Sequence, residues 1–107
     1  MSELDDMVNK GIIFPMGSEP SDWCHPLVVT PKPNGCIRLG VDFHVLNHHV
    51  KRPVYPLITP AEAVSRVKNA HFYTVYDATM GYWQIPFDET SHSLTVFMTP
   101  WGQFKYL

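Results

Sequence analysis

At 107 residues and a formal charge of −2, the chain can bury one core of modest size and no more. Its 45% hydrophobic and 17% charged content excludes a disordered polymer. The acidic balance argues against a simple basic nucleic-acid-binding domain. No apolar run approaches the roughly 18 residues needed for a membrane span, so a soluble intracellular protein without membrane contact is expected.

The first predicted element is a helix over Ser2–Gly11. Ser2 can cap it, acids load its first turn, Leu4, Met7 and Val8 form a stripe, and Gly11 stops it. Ile12–Phe14 followed by Pro15 reads as a short apolar plug, and residues 16–22 as a loop. Pro26–Thr30 and Cys36–Val41 then read as the two strands of a hairpin. Its turn is Pro33-Asn34-Gly35, where Asn and Gly both tolerate positive φ. Lys51–Leu57 should be extended, because Pro53 and Pro56 remove backbone donors and push their predecessors out of the α region.

A second helix is predicted from Thr59 to about Lys68. Thr59 is the cap, Pro60 the first helical residue and Glu62 the partner of a capping box. Ala61, Val64 and Val67 would be its buried face. The aromatic and β-branched run 72–76 reads as a buried strand that ends on one carboxylate, Asp77. Two last strands, Leu94–Met98 and Gln103–Leu107, flank a Thr-Pro-Trp-Gly turn. Nothing turn-forming follows Leu107, so the final strand is expected to lack partners and to favour self-association.

Charge is unevenly spread along the chain. Residues 1–24 carry one base against five acids, whereas residues 25–52 carry Lys32, Arg38, Lys51 and Arg52 against Asp42 alone. A local basic zone is therefore available to a polyanion, although a solvated surface with scattered charges fits the same composition. Cys24, His25, Cys36, His44, His48 and His49 could suggest zinc, but their spacing is expected to match no finger, reading as neither a paired Cys-x-x-Cys nor a His-x₃-His. With no secretory context, the two cysteines are expected to be free thiols. A Walker loop, a dinucleotide loop and a nucleophile elbow are all missing from the sequence.

Four motifs occur in register. They are Pro26–Gly35, Ile37-Arg-Leu-Gly-Val-Asp-Phe-His-Val-Leu-Asn47, Phe72–Pro86 with Asp77 at its centre, and Trp83–Glu89 continuing to Thr95–Phe104. Together they resemble the reverse transcriptases of retroviruses and long-terminal-repeat retrotransposons, with Ty3/gypsy-like elements nearest. The resemblance implies an α+β fold comprising the fingers and first palm portion of such a polymerase, with short antiparallel strands, two or three helices and an incomplete palm sheet. It divides the chain into fingers-like residues 1–52, palm-like residues 53–84 and fingers-like residues 85–107.

By the same resemblance Asp77 is the first catalytic, Mg²⁺-binding carboxylate. The two further aspartates that complete the family's two-metal site belong to a later hairpin, which this sequence does not contain. Arg38 and Lys32 would contact a triphosphate, with Ala78 and Tyr82 beside the nucleotide, and Tyr82 would exclude a 2′-hydroxyl. Met80 departs from the small or polar residue usual at its position. Asp42 and Asn47 would hold local backbone rather than act in catalysis. The implied partners are an RNA or DNA primer–template and deoxynucleotides. The alternative reading is a remnant without chemistry that serves as a nucleic-acid- or protein-binding module.

Overall fold

The computed structural model describes residues 2–107 and divides them into two compact units, residues 2–50 with 81–107, and residues 51–80. The first unit is built on a five-stranded sheet. Helix α1 (Ser2–Asn9) precedes β1 (Ile13–Pro15), β2 (His25–Pro31) and β3 (Ile37–Val41). A single helical turn, α2 (His44–Asn47), follows. After 3-10 helices at Gly81–Gln84 and Glu89–Thr95 come β4 (Phe97–Thr99) and β5 (Gly102–Tyr106). The strand order is β1-β5-β4-β2-β3, with β2 and β4 parallel and every other pair antiparallel.

Helix α1 forms where the apolar spacing predicts it. Leu4 and Met7 are buried, and Gly11 ends it at φ +67°, a conformation open to glycine without strain. Together with Ile13, Phe97 and Phe104 they form the core, against which Val8, Leu27, Leu39 and Val41 pack. The pleat accounts for the last three. Leu27 pairs with Val41, and Leu39 stands two residues before Val41, so these three share the core-facing side, while Val29 opposite Leu39 stays 53% exposed and Arg38 and its partner Thr30 take the opposite face.

The hairpin turn differs in detail from its prediction. Only Gly35 takes positive φ, at +81°, and its N–H donates to Lys32 O at 3.0 Å. Asn34 uses its side chain instead, accepting from Cys36 N at 3.2 Å. Proline at the second turn position and glycine at the fourth make this a longer loop rather than a two-residue connection.

Three expectations for this unit are corrected. The apolar plug Ile12–Phe14 is part of the sheet, because β1 pairs with β5 from Ile13↔Tyr106 to Pro15↔Phe104. Leu94 and Thr95 close the second 3-10 helix instead of opening a strand, and the Thr95 hydroxyl donates to His92 O at 2.8 Å. The final strand is also not without partners. β5 lies between β1 and β4, Leu107 N donates to Ile12 O at 3.0 Å, and Leu107 O accepts from Phe87 N at 3.2 Å. Its backbone groups are satisfied on both sides, which removes the edge that self-association was expected to use.

The second unit contains one helix, α3 (Pro60–Val67). Thr59 caps it, its hydroxyl oxygen accepting from Glu62 N at 3.2 Å, and Pro60 is the first helical residue. Glu62 does not complete the reciprocal box and instead faces Arg66 at 3.6 Å, an exposed pair one turn apart. The expected burial fails here: Val64 is 67% exposed, Val67 and Ala61 are also exposed, and no residue of α3 is buried. Residues 72–76 do not form a strand, and Phe72 and Tyr76 are 94% and 93% exposed. A strand needs neighbours to take up its N–H and C=O groups, and among the described residues this segment has none.

Candidate functional site

The hairpin places the two candidate phosphate ligands. Lys32 opens the turn and Arg38 stands on β3 opposite Thr30. Both are exposed, and among the described residues neither enters a salt bridge. A guanidinium held on a paired strand with its fork in solvent suits bidentate contact to phosphate oxygens. The arrangement is chemically open, with no acid paired to either cation among the described residues.

Asp42 follows β3 and turns the chain. Its backbone N–H donates to Pro26 O at 3.0 Å, and its Oδ1 accepts from His44 N at 2.9 Å, a side-chain-to-backbone bond two residues on. That bond covers a free N–H at the start of α2, where Phe43 makes no side-chain cap. Asn47 closes the turn through its backbone, donating to Phe43 O at 2.8 Å.

Tyr82 belongs to the first 3-10 helix and is 95% exposed. With Phe43, Trp83, Phe87 and Tyr106 it lines an apolar cavity of about 610 Å³, floored by Gly40 and Val41. The sheet half-buries the Tyr106 ring, and this burial pushes its phenol above the ordinary tyrosine value of 10.0. Beyond the cavity Asp88 accepts from the hydroxyls of Ser91 and Thr90, and these bonds lower its carboxyl below the ordinary 3.8.

Asp77 lies in the second unit with Ala78, Thr79 and Met80. Asp77 and Ala78 are exposed, and no salt bridge among the described residues involves Asp77. Met80 adopts φ +49°, an uncommon conformation for a side chain of this size. Among the described residues no three His, Cys, Asp or Glu side chains gather around a common point. Mg²⁺ asks for several oxygen ligands in near-octahedral array, so the single carboxylate here does not by itself constitute its site.

The histidines fall into two kinds. His25 is buried, its Nε2 within 2.9 Å of Leu94 O and its ring between Trp23 and Phe43. His44 and His48 are exposed, with their Nε2 atoms 3.4 Å apart. Their spacing is a His-x₃-His pair, which corrects the expectation that the sequence holds none. Cys24 and Cys36 are free and exposed.

No protein-family model matches the chain. Individual relatives do. Over 107 residues the chain is 31% identical to a retrovirus-related Pol polyprotein from transposon opus of Drosophila melanogaster, covering 98% of this chain and 11% of that one. It is 28% identical over 109 residues to the transposon Tf2-3 polyprotein of Schizosaccharomyces pombe, covering 100% of this chain and 8% of that one. The fold matches the prototype foamy virus protease–reverse transcriptase with a TM-score of 0.74 over 96% of this chain and 14% of the viral one, at 22% identity. The chain is a homologue of retroelement Pol polyproteins. A foamy viral protease–reverse transcriptase solved in complex with dsDNA also matches, with a TM-score of 0.69 over 97% of this chain and 21% of that one. This Pol homologue spans about a tenth of the length of the curated relatives it matches. Among its described residues no helix is long and apolar enough to cross a membrane.

Proposed function

We propose that this Pol segment is the fingers and first palm portion of a reverse transcriptase, with Asp77 the first metal-binding carboxylate of the polymerase site. The observation that carries the reading is the exposed Asp77 at the end of its aromatic run, outside every salt bridge among the described residues, in a chain whose relatives are Pol polyproteins. Residues 1–52 and 85–107 are then fingers-like and 53–84 palm-like. Template-directed DNA synthesis with Mg²⁺ and deoxynucleotides belongs to the complete polyprotein, because further carboxylates must join Asp77 before two metals can be held. Arg38 and Lys32 contact the triphosphate, Ala78 lies beside the nucleotide, and Tyr82 tests its sugar.

The test uses the complete Pol protein. Asp77→Asn keeps the size of the side chain and removes its charge, so synthesis should fall by several orders of magnitude while primer–template binding persists. Tyr82→Ala should retain synthesis and relax discrimination against ribonucleotides, since a steric exclusion is worth about 1–3 kcal/mol. An active Asp77→Asn enzyme, or an unchanged sugar ratio in Tyr82→Ala, overturns the respective assignment.

A second reading, a nucleic-acid-binding module without chemistry, is favoured by the hairpin cations, which enter no salt bridge among the described residues. Residues 1–107 alone should not extend a primer, and should bind primer–template weakly, without sequence preference, and less at higher salt. Replacing Lys32, Arg38, Lys51 and Arg52 with Ala should remove that binding. Titration of a labelled duplex at two salt concentrations measures both effects.

A further inference from the structure

We propose that His44 and His48 form a chelating site for one divalent transition-metal ion of the copper, nickel and zinc group. The two residues stand four apart, the spacing that brings side chains to the same face of a helix one turn apart. Although α2 ends at Asn47, His48 keeps helical dihedrals, φ −69° and ψ −20°, so the spacing is realised in space. Their Nε2 atoms are 3.4 Å apart, with ring centroids 4.9 Å apart and planes inclined at 82°.

That separation fits a long hydrogen bond between the rings and also the span of two nitrogens on one ion. An N–H···N hydrogen bond prefers about 3.0 Å, and 3.4 Å is long for one. Two imidazole nitrogens, each 2.0–2.1 Å from one tetrahedral ion, stand about 3.3–3.4 Å apart. The separation of the two nitrogens is therefore the one that a shared ion needs.

The backbone under the pair is fixed independently of the imidazoles. Asp42 Oδ1 accepts from His44 N at 2.9 Å, Asn47 N donates to Phe43 O at 2.8 Å, and His48 N donates to Val45 O at 3.3 Å. The neighbouring histidines are engaged elsewhere. His49 places Nδ1 3.0 Å from Val45 O and its ring edge-on to Trp23, and His25 is buried on Leu94 O. Both proposed ligands are exposed, so an ion can enter and water can complete its shell. Imidazole selects this group of metals and not Mg²⁺, which takes oxygen ligands. With two protein ligands the site is weak and follows the general order of divalent affinities, Cu²⁺ the tightest.

The experiment is calorimetric titration of the full chain, with both cysteines changed to Ser, using Cu²⁺, Ni²⁺ and Zn²⁺ as separate probes, alongside NMR of the imidazole protons. One ion per chain is expected, Cu²⁺ binding more tightly than Ni²⁺ or Zn²⁺, with the resonances of His44 and His48 moving together. His44→Ala and His48→Ala should each weaken Cu²⁺ binding by roughly tenfold or more, and His49→Ala should leave it unchanged. Absence of binding, equal loss in His49→Ala, or unaltered affinity in His44→Ala overturns the proposal. Both ligands are exposed, so loss of binding can be separated from loss of fold by the melting curve of each variant.

Discussion

Phe97 and Phe72 have the same side chain, and each stands in a run of aromatic or β-branched residues, yet one is 1% exposed and the other 94%. Phe97 lies on β4 between β5 and β2, so its backbone bonds are taken up on both sides and its ring reaches Phe104 and Tyr106. Phe72 belongs to a unit with one short helix and no sheet. Strand preference records how well a side chain fits a pleated, half-buried surface, and without that surface it has nothing to act on. Burial in this chain is decided by neighbours distant in sequence, not by the local run.

The sharpest way to break this comparison is to truncate both rings. Phe97→Ala should cost about 3–5 kcal/mol through lost burial and the cavity left behind, enough to unfold a small domain. Phe72→Ala should stay within about 0.5 kcal/mol. Chemical denaturation followed by tryptophan fluorescence reads both, and a large loss from Phe72→Ala would show that residues 51–80 hold a core of their own.

Thr59→Ala tests the one strong local device in the second unit. Loss of the cap should cost about 1 kcal/mol, seen as faster amide exchange along Pro60–Val67 with little change at β4 and β5. A matching loss in the sheet would show that the two regions melt together.

The smallest effect concerns Tyr106 in alkali. Burial raises its ionisation in the folded state, so the unfolded chain releases that proton first. Its contribution to stability is thus complete below the ordinary tyrosine range and is lost as pH rises through the folded value. Tyr106→Phe should flatten the alkaline limb of the melting-temperature profile, and an unaltered limb would place the loss elsewhere.

What was legible in the sequence follows the same division. α1, the β2–β3 hairpin, the Thr59 cap and the Thr99–Gly102 turn were all readable, because each depends on residues within a few positions of one another. The placement of β1 beside β5, the full pairing of the last strand and the exposure of Val64 and Phe72 were not, because each depends on partners that local pattern cannot name. Within the candidate site, the roles given to Asp77, Arg38, Lys32, Ala78 and Tyr82 rest on motif and resemblance. The bite between His44 and His48 needed coordinates to measure it, though its spacing stood in the sequence.

The parallel pairing of β2 with β4 has a kinetic consequence. His25 meets Phe97 and Ile13 meets Tyr106, so the sheet cannot close until almost the whole chain is available. Contacts of such long sequence separation slow folding, and during synthesis α1 and the hairpin must wait as local structures while residues 51–80 pass. The entropy of closing that span grows only with the logarithm of its length, about 0.6 kcal/mol for each doubling. Changes of length between Val50 and the approach to Asp77 would therefore alter the time to assemble the sheet and its final stability only modestly.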